Sequence, residues 1–138
     1  MADWNGAARS NYVHLTNVSA VMAELTPFAI ELSRGKNDTF CFLSVTDDGG
    51  WPSVSWDDEY NETEFTWEHN VMPFVREGEV LVAMQSGHEK LRYITGHAEA
   101  YVRHHDEVKM TNLSLGDIYA KAAELFGLDK LNISAVEY

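Results

Sequence analysis

The chain has 138 residues, 22 acidic against 10 basic side chains and a formal net charge of −12. Such an acidic chain is a poor candidate for binding DNA or RNA directly, because that binding depends on neutralising phosphates with Lys and Arg. Its 45% hydrophobic content, with six Tyr, six Phe and four Trp, excludes a disordered acidic tail and predicts one folded domain spanning residues 1–138.

The first third of the chain predicts an arm, a strand, a helix and a hairpin. Residues 1–9 are small and polar, so we expect a loose N-terminal arm, and without an apolar run for a signal peptide we expect a cytoplasmic protein. Residues 11–15 predict a strand. Apolar residues over 18–25 recur at helical spacing, and the period-two pattern over 28–33, a turn and residues 39–45 predict a β-hairpin.

The acidity is concentrated between Asn37 and Val75, where nine carboxylates occur without any Lys or Arg. Residues 1–36 balance at three of each sign, and residues 76–138 carry seven bases against ten acids. A local negative field attracts basic protein surfaces, including those that bind nucleic acid. The carboxylates expected to contact such a partner are Asp47, Asp48, Asp57, Asp58, Glu59, Glu62, Glu64 and Glu68.

Aromatic residues interleave with these acids. Trp and Tyr are over-represented among the residues that dominate binding energy, so we expect Trp56, Tyr60 and Trp67 to contact the partner as well.

Residues 57–63 form either the tip of a hairpin with arms 53–56 and 64–67, or part of an irregular edge. In an extended strand, alternate side chains point the same way about 6.6 Å apart. Asp58, Glu62 and Glu64 would then form a carboxylate row that roughly imitates DNA phosphates.

The second half predicts a short helix over 68–77 capped by Asn70, a strand over 79–84, a turn over 85–89 and a long strand over 90–103. One face of the long strand is lined by small side chains such as Gly96, Ala98 and Ala100. A last helix, beginning near Ser114, is expected to pack on that face. The predicted architecture is α+β, with an antiparallel sheet of about five or six strands and two or three helices.

Two other kinds of site compete with the acidic segment. The polar face of the long strand predicts a small-molecule or nucleotide-binding module built from Tyr93, Thr95, His97, Glu99 and Tyr101. A metal-dependent hydrolase would use His104, His105 and Asp106, although adjacent residues point to different sides and structural zinc usually takes separated pairs of ligands. No phosphate-binding loop, nucleophile elbow or metalloprotease motif occurs in the chain. We therefore expect no enzyme, no cofactor and no metal.

Several segments carry a resemblance: Ser10-Asn11-Tyr12-Val13, Gly50-Trp51-Pro52-Ser53, Gly78-Glu79-Val80, residues 89–96 and Asp117-Ile118-Tyr119. They resemble a family of small, acidic, mostly uncharacterised proteins of phages and other mobile elements. In size and charge the chain is also similar to anti-CRISPR and antirestriction inhibitors, many of which imitate nucleic acid. The second resemblance implies a phage inhibitor whose partner is a CRISPR-Cas effector or a restriction enzyme. A homodimer is a further expectation.

Overall fold

The computed structural model describes residues 4–89, 93–129 and 133–134. Within these residues there are three α-helices: α1 (Val18–Leu25), α2 (Trp67–Asn70) and α3 (Asp117–Phe126). They accompany nine strands, which confirms the α+β class. The strands are β1 (Trp4–Ser10), β2 (Val13–His14), β3 (Ile30–Arg34), β4 (Thr39–Ser44), β5 (Val54–Trp56), β6 (Glu62–Glu64), β7 (Val80–Glu89), β8 (Tyr93–His104) and β9 (Glu107–Ser114).

Seven of the described strands form one antiparallel sheet, with β4, β1, β7, β8 and β9 side by side in that order. β1 pairs with β7 over its whole length, from Trp4 opposite Glu89 to Ser10 opposite Ala83. β1 also pairs with β4, and β2 and β3 each pair with β4 as well. The predicted sheet of five or six strands is thus extended by two strands that the sequence pattern did not indicate, β1 and β9.

The expectation of a loose N-terminal arm is wrong for residues 4–9, and residues 1–3 lie outside the described part. The indole of Trp4 lies against Gly6 and Gly87: a Cβ at these glycines would be 2.1 and 2.2 Å from the ring. Trp4 Nε1 also donates a hydrogen bond to Thr95 Oγ1 at 3.2 Å. Because Gly6 and Gly87 have no side chains, the indole of Trp4 can pack directly against the backbone at these positions. The small residues that suggested a loop therefore form part of the packing surface of this ring.

The predicted turn over 85–89 is also wrong, because β7 continues through it to Glu89. Gly87, which suggested a turn, sits beneath the Trp4 ring instead. Glycine in a strand often marks such a close approach. β7, β8 and β9 therefore form a continuous antiparallel meander at one side of the sheet.

The helix ends are set by short polar side chains. Asn17 caps α1 by accepting a hydrogen bond from Ala20 N at 3.0 Å, and α1 spans the predicted residues. α2 is capped by Thr66, whose Oγ1 accepts from His69 N at 3.2 Å, and not by Asn70 as predicted. Asn70 Oδ1 accepts from Thr66 N instead. The helix predicted over 68–77 ends at Asn70 and is followed by a 3-10 turn, Met72–Phe74, which contains Pro73.

One face of the sheet, called the core face here, carries the hydrophobic core. α1, α2 and the 3-10 turn after α2 cover this face. Among the described helices, none is long and apolar enough to cross a membrane. The opposite face is called the open face. The core residues are Val13, Val21, Leu25, Phe28, Ile30, Phe42, Phe65, Trp67, Val71, Met72, Val75, Leu81, Ala83 and Tyr101.

The prediction that the last helix packs on the small-residue face is wrong. Ile118, Leu125 and Phe126 of α3 are 60%, 80% and 66% exposed. Leu115, just before the helix, does reach that face, where its side chain lies 3.0 Å from the Cβ position of Gly96. The amphipathic pattern of α3 predicted a packed helix, but the described residues leave most of its apolar side uncovered.

Candidate functional site

The acidic segment contains a two-stranded hairpin separate from the main sheet. β5 and β6 pair antiparallel, with Val54 opposite Glu64, Ser55 opposite Thr63 and Trp56 opposite Glu62. This confirms a hairpin over the irregular edge that the sequence left open, but the second arm is Glu62–Glu64 and not the predicted 64–67. The flanking residues Phe65 and Trp67 belong to the hydrophobic core, so the hairpin projects from an anchored base.

Asp57 holds the tip of this hairpin. Its Oδ1 accepts hydrogen bonds from the backbone N–H groups of Glu59 at 2.9 Å and Asn61 at 2.8 Å, and its Oδ2 accepts one from Asn61 Nδ2 at 3.1 Å. These bonds favour the ionised form, so the Asn61 backbone N–H, followed by its side-chain amide, lowers the pKa of Asp57. The turn also places Tyr60 at a φ of 62°, in the left-handed region. Asp57 therefore shapes the loop and has few oxygen sites left for a partner.

The other hairpin carboxylates are exposed and divide into two groups. Glu62 and Glu64 lie in β6 on the same face of the hairpin as Trp56 and Val54, because alternate residues of a strand point the same way. Asp58 lies in the tip beside Glu59, so the expected row of Asp58, Glu62 and Glu64 is wrong for Asp58. Among the residues that the structure describes, none of these acids forms an ion pair with Lys, Arg or His.

The three candidate aromatic residues differ sharply in exposure. Trp56 is 60% exposed and Tyr60 is 84% exposed. Trp67 is 6% exposed, and its ring meets Phe42 and Trp51 edge to face at centroid distances of 5.4 and 4.8 Å. The expectation that Trp67 contacts a partner is therefore wrong, because its ring is used to build the core.

The remaining candidate acids lie outside the hairpin. Asp48 organises the preceding turn: its Oδ1 accepts from Gly50 N at 2.9 Å and its backbone carbonyl accepts from Gly6 N at 2.8 Å. Asp47 is exposed in the same turn. Glu68 is exposed in the first turn of α2 and contributes to the raised pKa of Tyr101. These acids extend the negative field but do not belong to the hairpin itself.

A cavity of about 370 Å³ lies between the base of the hairpin and the core face of the sheet. Trp51 lines it and is held by a hydrogen bond from its backbone N–H to Gln85 Oε1 at 2.7 Å. The indole Nε1 of Trp51 is buried and has no hydrogen-bond partner among the described residues. Buried donors normally have a partner, so this nitrogen is an exception within the described part of the chain. The other lining residues include Phe65, Trp67, Glu68, His97, Glu99 and Tyr101.

Three of the five residues expected on the polar strand face line this cavity: His97, Glu99 and Tyr101. The Tyr101 hydroxyl donates a hydrogen bond to Glu99, and burial, followed by that bond, raises the pKa of Tyr101 above its ordinary value of 10.0. Thr95 is used instead to accept the bond from Trp4, and the Tyr93 side chain lies outside the described residues. The sequence did not indicate Trp51 or Gln85 as cavity residues, because they come from separate elements.

The histidine pair at the end of β8 does not assemble a metal centre in the described structure. His105 has a φ of 58° in the turn between β8 and β9, where its backbone N–H donates to Glu77 and its Nδ1 lies 3.5 Å from the same carboxylate. Among the described residues, no three His, Cys, Asp or Glu side chains are grouped closely enough to hold a metal ion.

No protein-family model matches the sequence, and no curated protein or solved structure shows significant similarity to the chain. The hairpin and the cavity are the two features from which a function is inferred. The hairpin combines five exposed acids with two exposed aromatic rings, whereas the cavity offers a partly open space of about 370 Å³.

Proposed function

We propose that the chain is a non-enzymatic inhibitor, encoded by a phage or another mobile element, that blocks the nucleic-acid-binding surface of a bacterial defence complex. The observation that carries this proposal is the hairpin, which displays unpaired carboxylates beside exposed aromatic rings. The inhibitor would act in the bacterial cytoplasm as an anti-CRISPR or antirestriction protein. Its partner would be a CRISPR-Cas effector or a restriction enzyme.

The charges of the hairpin provide attraction toward such a partner. Four hairpin acids make no ion pair within the described chain: Asp58, Glu59, Glu62 and Glu64. No existing ion pair therefore has to be broken before these carboxylates bind Lys or Arg side chains of a partner. Complementary charge accelerates association and selects partners, and salt screens it over a Debye length of about 10 Å at 0.1 M. Binding is therefore expected to weaken as salt concentration rises.

The aromatic rings provide the buried contact that charge alone does not. Trp56 and Tyr60 retain 60% and 84% of their accessible surface and lie within the same hairpin as the acids. Burial of a large aromatic ring at the centre of an interface commonly contributes a large share of the binding energy. The bonds that Asp57 makes across the tip keep the loop ordered before binding, which reduces the entropy lost on association.

The experiment is affinity capture from a bacterial lysate at low salt, followed by elution with rising salt and mass spectrometry. The matched bait carries Asp58→Asn, Glu59→Gln, Glu62→Gln and Glu64→Gln, and it keeps Asp57 because that residue holds the tip. The proposal predicts that the unmodified bait retains one stoichiometric nucleic-acid-binding complex, that added DNA competes for it, and that the variant bait does not retain it. Equal recovery by both baits would refute the role of the hairpin.

The unpartnered Trp51 indole favours a second candidate, a small-molecule-binding module that uses the cavity. The carboxylates of Glu68 and Glu99 line this space, so an anionic nucleotide is disfavoured and a cationic or neutral ligand with an acceptor for Trp51 Nε1 is preferred. A thermal-shift screen of small amines, amides and nucleosides tests this candidate. Stabilisation by one compound class, lost in Glu99→Gln, would support it, and a flat screen would count against it.

A further inference from the structure

The open face of the main sheet bears a groove of about 500 Å³ with no described element over it. The groove crosses β4, β1, β7, β8 and β9, and its walls are almost entirely apolar. Met84 and Leu113, which border it, are 56% and 59% exposed. Soluble monomers rarely expose a continuous apolar area of this kind, so it is typical of an interaction surface. The residues that line it include Ala7, Met84, Gly96, Ala98, Leu113 and Leu115.

The same chain carries an apolar helix surface that also has no partner. Ile118, Ala122, Leu125 and Phe126 recur at intervals of three and four residues along α3 and so lie on one side of it. Leu125 and Phe126 are 80% and 66% exposed. An isolated ten-residue helix is marginal in water, and helices in proteins are stabilised mainly by packing of their apolar side. α3 therefore requires a surface to cover this stripe.

We propose that this groove and α3 form the interface of a homodimer, in which α3 of each copy lies in the groove of the other. Each chain supplies one groove and one helix, so a two-fold arrangement covers both surfaces in both copies and closes the assembly. Within one chain the two surfaces do not meet. Leu115 is seated on Gly96, but Ile118, Leu125 and Phe126 beyond it remain exposed.

The dimensions of the two surfaces match. A helix of ten residues is about 15 Å long. The groove spans five neighbouring strands, or four spacings of about 4.8 Å, which is roughly 19 Å. A two-fold pair contains two such contacts, which is on the order of several hundred Å² per chain and approaches the roughly 800 Å² of a stable interface.

Charge favours this occupant as well. The acidic hairpin rises from the core-face side of the sheet, because Phe65 and Trp67 at its base pack in the core. A dimer formed through the open faces therefore turns the two hairpins away from each other, which limits repulsion between two chains of −12.

The first test is the mass in solution, measured by light scattering at micromolar concentration. The wild-type chain is expected at twice its 15.6 kDa mass. Ala98→Glu places a charge in the groove, and Leu125→Asp with Phe126→Asp removes the apolar stripe; both proteins are expected at half the wild-type mass. Thr63→Asp, which makes the same charge change as Ala98→Glu but on the hairpin, should remain dimeric. A wild-type chain that is monomeric would overturn the proposal.

Disulfide trapping shows which chain provides the helix. Cys41, the native cysteine, is buried and leaves new thiols as the reactive ones. A mixture of Ala98→Cys protein and Leu125→Cys protein is expected to form a cross-linked pair in excess of either protein alone. If the mixture does not cross-link, whereas the Ala98→Cys, Leu125→Cys double variant closes within one chain, α3 folds onto its own sheet and the dimer is refuted.

Discussion

Trp56 and Glu62 lie directly opposite each other across the β5–β6 hairpin. Residues in such a pair have Cβ atoms about 4.5–5.5 Å apart and project from the same face. Glu64 lies on that face too, opposite Val54. The pairing therefore sets carboxylates beside apolar surface on one side of the hairpin, and this is the combination that a basic partner surface with apolar pockets requires.

Trp56 and Trp67 are predicted to have opposite roles despite their short separation in sequence. Because Trp67 is buried against Phe42 and Trp51, Trp67→Ala is expected to lower the free energy of unfolding by about 3–5 kcal/mol. Trp56 is mostly exposed, so Trp56→Ala should change it by no more than about 0.5 kcal/mol.

Urea denaturation followed by circular dichroism measures both values. The same two proteins are then compared as baits for the captured complex, where Trp56→Ala should reduce retention without loss of fold. A Trp56→Ala protein that is as destabilised as Trp67→Ala would show that the hairpin ring is part of the core.

Gly87→Ala tests whether the N-terminal strand is an integral part of the fold. The added Cβ would lie 2.2 Å from the Trp4 ring, so the ring must move and the unfolding free energy should fall by about 1–3 kcal/mol. Gly116→Ala is the matched control, because its Cβ would meet nothing closer than Ser114 Oγ at 3.8 Å. In a Trp4→Ala background the cost of Gly87→Ala should fall but not vanish, because the Asn5 backbone oxygen also lies 2.8 Å from the added Cβ. An unchanged cost would mean that the ring does not lie on Gly87.

The hairpin tip should keep its order to low pH. Hydrogen bonds from Asn61 lower the pKa of Asp57 below its ordinary value of 3.8. Since the folded pKa is the lower one, the stabilisation from this carboxylate is complete above the unfolded pKa and is lost as pH falls through the folded pKa. The amide chemical shifts of Glu59 and Asn61 are therefore expected to titrate with a midpoint below 3.8. Asp57→Asn should abolish this transition, and a midpoint above 3.8 would contradict the hydrogen-bond arrangement.

Tyr101 should resist ionisation at high pH. Burial, followed by the hydrogen bond to Glu99, raises its pKa above 10.0. A raised folded pKa means that the contribution of Tyr101 to stability is complete below pH 10 and declines only as pH rises toward the folded pKa. Near-ultraviolet absorbance titration of wild type and Tyr101→Phe should therefore give the same curve around pH 10. If fewer Tyr side chains ionised near pH 10 in Tyr101→Phe than in wild type, the Tyr101 hydroxyl would be exposed to solvent in the folded protein.

The parts of the fold that could be predicted from sequence are those with strong local patterns. α1 and the β3–β4 hairpin follow from clear periodicity and a polar turn. β1 was missed because Gly6 and the alanines beside it have low strand propensity, although Trp4 makes them a packing surface. β9 was missed because it is a mostly polar, exposed edge strand.

The sequence predicted the charge and the amino-acid composition of the site, but not which of its side chains are buried. The run of acids predicted a negative surface, and alternation predicted that Glu62 and Glu64 share a face. Trp67 could not be separated from Trp56 by sequence, because both stand among acidic residues and only tertiary contacts bury one of them. The cavity was missed because Trp51, Glu68 and Gln85 come from different elements.

The most direct test of the proposed inhibition is the plating efficiency of a phage on bacteria that carry a single restriction or CRISPR-Cas system. The host expresses either the wild-type chain or the variant with Asp58→Asn, Glu59→Gln, Glu62→Gln and Glu64→Gln, at equal levels. With the system that is the target, the wild-type chain is expected to restore plating to that of a host without the system, and the variant is not. Full restoration by the variant, or no restoration by the wild type with any system of either class, would contradict inhibition through the acidic hairpin.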